Sequence, residues 1–222
     1  MGISTVAVMG EGGDRRADEK PSTSLASEVR GKVSAEMALF GIYEISKILT
    51  APARLEVALS NVVNVLTSFL RMRRGMIVVL DDPGEIEIVA AAGWSRQGGG
   101  RAIDCLPRGV IDRIVATATP LVVHDVANDP LFAEAKAAMA EGSGARVSFL
   151  GVPIKAADKV VGTLSIDRIW DGQTLIRIDD DLRFLSMVAS LAGQTVRLHR
   201  ILAADRQRLL DERGAFEKAL GN

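Results

Sequence analysis

VSFLGVPIKAADKVVGTLSIDR, residues 147–168, is the stretch on which the fold turns. Apolar and small residues alternate, the pattern breaks at AADK, and the alternation resumes. That is the two-residue period of strands on either side of a tight turn. The stretch predicts one antiparallel hairpin, with Leu150, Val152, Ile154, Leu164 and Ile166 facing a core. Pro153 removes a backbone donor from the first strand, so it is expected beside a sheet edge or an irregular pairing. On the second strand Thr163, Ser165 and Asp167 share the other face, which is read as solvated or as a helix-capping contact.

N-terminal to the hairpin, residues 1–33 mix Gly, Ser and charged side chains around Pro21 without a sustained apolar period, and are expected to form a disordered tail. Leu39, Ile42, Ile45, Ile48 and Leu49 then recur at helical spacing as far as the break at Pro52. Leu55, Ala58, Leu59, Val62, Val63, Leu66 and Leu70 give a second amphipathic helix. MIVVL (76–80) and IEIVAAAGW (86–94) read as strands around a turn at Pro83 and Gly84. Three glycines at 98–100 mark a loop. There follow a short helix over 109–118, a strand over 121–123 ending in His124 and Asp125, and an alanine-rich helix over 128–142 capped by Asn128 or Asp129. Beyond the hairpin a long helix starts near Asp179 or Asp180 and reaches Leu210 or further. Leu182, Leu185, Val188, Ala189, Ala192, Val196, His199, Leu202 and Leu209 form a seam in it suited to a second helix. Strand pairs that follow one another directly imply an α+β domain with an antiparallel sheet.

Charge and composition narrow the function classes. With 27 basic and 28 acidic side chains there is no electrostatic footprint for nucleic acid or an anionic membrane surface. No segment approaches the roughly 18 apolar residues of a membrane span, and the short apolar run near the N-terminus is too brief for a signal peptide. A single cysteine, Cys105, excludes an intrachain disulfide and a cysteine-based zinc site, and fits a reducing cytoplasm. EGSGAR (141–146) is glycine-rich, but no GxxxxGK[ST] occurs, so a phosphate-cradling loop of that kind is absent from the sequence. No metal, cofactor or catalytic set is expected.

Four pieces in a fixed order carry a family resemblance: the 109–118 helix followed by ATATPLVVHDVANDPLF, the strand SFLGVPI with Pro153, the strand VVGTLSID with Gly162, and the helix DDDLRFLSMVASLAGQTV. Together they resemble the GAF domain family, and within it the N-terminal domains of Nif-specific regulatory proteins. The resemblance implies a central antiparallel six-stranded sheet with helices on both faces and a long C-terminal helix. It assigns residues 34–200 to that domain and residues 201–222 to a linker helix toward an AAA+ ATPase outside this chain. It also implies control of sigma-54-dependent transcription by nitrogen status, through 2-oxoglutarate as a small-molecule effector, a PII-type signal protein, or both. A homodimer through the terminal helices is a further implication, with DNA and RNA polymerase contacts expected from the other domains.

GAF domains take ligands between the sheet and the loops over one face. That places the candidate site among Trp94, Cys105, His124, Phe132, Arg146 and Ser148. A dicarboxylate needs a fixed cation and hydroxyl donors in a mostly apolar pocket; Arg146 with Ser148, on one face at the hairpin's start, reads either as that pair or as an exposed arginine at a strand start. His124 beside Asp125 reads either as a ligand contact or as a structural hydrogen bond. Trp94 and Phe132 read as pocket walls or plain core, and Cys105 as a redox group or a small apolar packer. One cysteine argues against a reductase of the free methionine sulfoxide kind. The residue set of cyclic-nucleotide sensors is not recognisable. A dimerisation module without ligand, or a sensor for another small molecule such as a cyclic nucleotide, stays open as the alternative.

Overall fold

Apolar residues at two different periods build this chain into a sheet with a helical layer on each side. The computed structural model describes residues 22–94, 102–134, 146–170 and 178–220. The chain divides into two units, Met1–Glu36 and Met37–Asn222. In the first, the described part is the opening of helix α1 (Ser22–Thr50). Residues 22–33, expected in the tail, are therefore helical. Their leucine, alanine and glutamate favour helix, and polar composition alone does not forbid one. All other described elements lie in the second unit.

There α2 (Leu55–Phe69) leads into β1 (Arg74–Leu80) and β2 (Ile86–Ala92). Then come α3 (Arg108–Thr117), β3 (Leu121–Val123), β4 (Arg146–Ala156), β5 (Lys159–Trp170) and α4 (Ile178–Leu220). Among the described residues the sheet has five strands in the order β2-β1-β5-β4-β3. Every neighbouring pair is antiparallel, as expected of an α+β fold. The helix expected over 128–142 opens instead as two single 3-10 turns, Val126–Asn128 and Pro130–Phe132, capped by Asp125 and Asp129. Residues 135–142 of that stretch lie outside the described residues.

The opening hairpin is β4 and β5, paired from Arg146↔Trp170 to Ala156↔Lys159 and joined by Ala157 and Asp158, with Ala157 in the left-handed region at φ 53. Strand β3 pairs with β4 only at residues 149–151, and the β4–β5 register shifts between Ile154 and Lys155. Pro153 thus falls past the end of β3 and beside a bulge, where a missing donor costs least. Gly162 lies where an added Cβ would meet the Val78 carbonyl, so its bare backbone lets β5 lie against β1. Lys159 Nζ donates to Asp82 Oδ1 at 2.8 Å and ties the two hairpin turns together. That hydrogen bond holds the exposed Asp82 carboxyl below its ordinary range.

Alternation sends side chains to two separate cores. Leu150, Val152, Ile154, Leu164 and Ile166 join Ile77 and Val79 under α1, α2 and α4. Val147 and Phe149 join Met76, Val78 and Leu80 under α3 and the 3-10 turns. With both faces covered, β1 is buried at every position. On α4, Leu185, Val188, Ala189, Ala192 and Val196 pack against the sheet. The first half of the seam therefore serves this domain's own core rather than a second helix. Arg200 closes the packed part, its Nη2 donating to Leu80 O and to Glu87 Oε2. Past it Leu202, Leu209 and Phe216 are exposed.

Candidate functional site

The face under α3 carries a polar row in β5, Thr163, Ser165 and Asp167, each under a tenth exposed. A buried carboxylate is tolerable only when paired and hydrogen-bonded, and Asp167 is both. Its Oδ2 accepts from Arg73 Nη2 and from Arg74 Nε, each at 2.8 Å. The register makes this inevitable, because Arg74 lies directly opposite Asp167 on β1. Asp167 is therefore not on a solvated face. The covering layer of α3 and the 3-10 turns comes from a distant part of the chain, so alternation within β5 could not reveal it.

Trp94 completes the cluster. The Arg74 guanidinium lies over its ring at 4.3 Å from the centroid, a cation–π contact that orients the fork. Its Nε1 donates to Gly75 O at 3.4 Å. Ser165 Oγ donates to Met76 O at the long distance of 3.5 Å, and Thr163 Oγ1 is buried without a partner among the described residues. Arg74, Met76, Trp94, Leu106, Phe149, Ser165 and Asp167 surround a cavity of 10 Å³, room for about one water. Phe132 packs edge-on against Phe149 at 5.1 Å.

Of the expected site residues, Trp94 lines this cavity, and Phe132 is buried against one of its walls, Phe149. Cys105 ends the 3-10 turn Ala102–Cys105 just before Leu106, and its side chain lies outside the described residues. Ser148 does not face this site. It alternates with Phe149 and sits on the side of Leu150, across from Arg168, whose Nη2 donates to Asp181 of α4 at 2.7 Å. Arg146 is half exposed and stands 3.5 Å from Asp125. His124 is exposed. Its expected partner Asp125 instead accepts from Ala127 N and Asn128 Nδ2.

The residues missed are Arg73 and Arg74, hidden in RMRRG between a helix and a strand. The legible signal was a charge in register with the apolar run Met76, Val78 and Leu80, which share one face with Arg74. The cluster holds two guanidinium groups, a carboxylate and a hydroxyl beside apolar walls. Among the described residues no group of His, Cys, Asp or Glu is arranged to hold a metal.

The GAF domain model matches residues 54–196, the span that builds both cores and the arginine cluster. The chain is 55% identical over 206 residues to the Nif-specific regulatory protein of Azorhizobium caulinodans, covering 93% of this chain and 33% of that one. It is 48% identical over 181 residues to the Nif-specific regulatory protein of Rhizobium etli, covering 81% of this chain and 31% of that one. The chain thus spans about a third of the length of these relatives. Among solved structures, the A. aeolicus nlh2 GAF domain in an inactive state superimposes with a TM-score of 0.59 at 19% identity, over 75% of this chain and 99% of that one, a likeness of fold. Matched by the family model over more than half of its length, with an antiparallel sheet covered on both faces, the chain belongs to the GAF domain family.

Proposed function

We propose that this chain is the regulatory sensor domain of a transcriptional activator of nitrogen-fixation genes. In that reading it restrains a following AAA+ ATPase that acts on sigma-54 RNA polymerase, in the cytoplasm, and releases it according to nitrogen status. The signal is 2-oxoglutarate, a PII-type protein, or both. The observation that carries the reading is the 55% identity to a Nif-specific regulatory protein across 93% of the chain. Two features support it physically. A guanidinium cluster lies on the loop-covered face, where an organic acid would be received. The output path is α4, 43 residues long, which packs on the sheet and then continues past Arg200 as an exposed helix. Leu202, Leu209 and Phe216, seven residues apart, support pairing of two such helices in a homodimer.

The test uses a full-length activator that carries this chain at its N-terminus and drives a sigma-54 reporter, with and without ammonium. Removing residues 37–200 should make reporter output insensitive to ammonium. A deletion variant that keeps full ammonium control would sink the reading.

A further inference from the structure

We propose that Arg200 and the bulged β1–β2 hairpin form a releasable clasp that fixes the heading of α4 where it leaves the domain, and that opening the clasp frees the exposed half of the helix. The inference rests on the reading of α4 as the output path and names the contact that sets its position. The hairpin is shaped to receive an arginine. Its register jumps from Val79↔Ile88 to Leu80↔Ile86, so Glu87 is one residue more than β1 can match. In a regular strand residues 86 and 88 would share a face, yet Ile88 packs under the helices α1, α2 and α4 while Ile86 packs in the core under α3. The bulge between them re-aims Glu87 toward Arg200.

The end of the sheet also leaves an acceptor open. Asp81 N donates to Glu85 O across the turn, and the two groups of one trans peptide unit point to opposite sides. Leu80 O therefore points away from β2 and toward β5, whose pairing with β1 stops at Val79↔Gly162. A carbonyl past the end of its ladder needs another donor. Arg200 Nη2 supplies it, and bonds Glu87 Oε2 at 2.8 Å as well. Residues 201–213 are all exposed, so among the described residues this is the last hydrogen bond from α4 to the sheet. The Arg200 and Glu87 side chains are 31% and 46% exposed. An ion pair so open to water holds weakly, and it can open without unfolding either core. The Lys159–Asp82 bond ties the β4–β5 turn to the same hairpin, so a shift of either hairpin pulls on the clasp.

The experiment measures the distance between two nitroxide labels on the 222-residue chain, diluted into unlabelled chain, by pulsed electron paramagnetic resonance. Cys105→Ser removes the native thiol, and Asn61→Cys on α2 and Ala215→Cys on α4, both at exposed positions, carry the labels. The parent should give one narrow distance. Arg200→Met removes the donors without a cost in helix propensity, and should lose that single distance for a broad or shifted distribution while circular dichroism stays native. Arg200→Lys, which keeps a charged donor, should keep the single distance. A methionine variant with the parent's distribution overturns the clasp, as does a lysine variant as spread as the methionine one. Should Arg200→Met not fold, Glu87→Ala loosens the same contact from the sheet side and is read in the same way. In the full-length activator, Arg200→Met should lose ammonium control of the reporter and Arg200→Lys should retain it. Control that survives Arg200→Met but is abolished by removing residues 37–200 overturns the clasp and leaves the sensor reading standing. Control that survives the deletion sinks the sensor reading, whatever the label distances show.

Discussion

Ser148 and Asp167 stand on paired strands but on opposite faces of the sheet, and that difference decides what each can touch. Asp167 is shared by two guanidinium groups under α3, and removing one partner of a buried ion pair costs roughly 3–5 kcal/mol. Ser148 faces the helices of the other core, beside Leu150 and opposite Arg168. Ser148→Ala is therefore expected to leave the 2-oxoglutarate affinity unchanged in calorimetric titration of the chain, and a loss of affinity would return Ser148 to the site. Sequence reasoning could pair Arg146 with Ser148 because alternation says which residues share a face. It could not say which face the ligand side is, because that depends on what packs above. The same gap made Thr163, Ser165 and Asp167 look solvated. A polar row under a covering layer and a polar row facing water have the same pattern in one strand, and only the Arg74↔Asp167 register tells them apart.

At the scale of elements, the helix α4 is held against the sheet by three kinds of contact. Arg168 grips Asp181 at its start, Leu185 to Val196 fill the core along its length, and Arg200 bonds Leu80 O at the end of the packed part. Between them Gly193 lies where an added Cβ would land on the Lys155 carbonyl oxygen, so the helix backbone rests directly on β4. Gly193→Ala must push the helix away, and overpacking of this kind costs about 1–3 kcal/mol. Urea unfolding should show that loss, although alanine favours helix more than glycine does. An alanine variant as stable as wild type would mean that α4 can lift from β4 without cost. Most strands and helices were legible, since β3 over 121–123, the 147–168 hairpin and α3 follow from period and punctuation alone, whereas the opening of α1 and the 3-10 turns after β3 did not. What was not legible is the duty of a helix face. The seam at Leu185, Val188, Ala192 and Val196 has coiled-coil spacing, yet it meets a sheet, because apolar spacing specifies a buried stripe and not its partner.

For the whole molecule, the two ends of α4 have different surroundings, and the change comes just after Arg200. Residues before it are locked to the domain, and 201–218 are almost all exposed. A rigid helix carries a rotation or a shift from one end to the other only if its register is kept. Inserting two residues after Ala203 turns everything downstream by roughly 200°, at about 100° per residue. It leaves both cores and the arginine cluster untouched. Inserting seven residues turns it by only about 20° from the original heading. In the full-length activator, the two-residue insertion should abolish ammonium control of the reporter while dicarboxylate binding by the domain stays normal, and the seven-residue insertion should retain most of that control. If both insertions behave alike, orientation is not what the helix transmits. The signal would then have to pass by direct contact between this domain and the proposed ATPase, for which the exposed face of α4 beyond Arg200 would no longer be required.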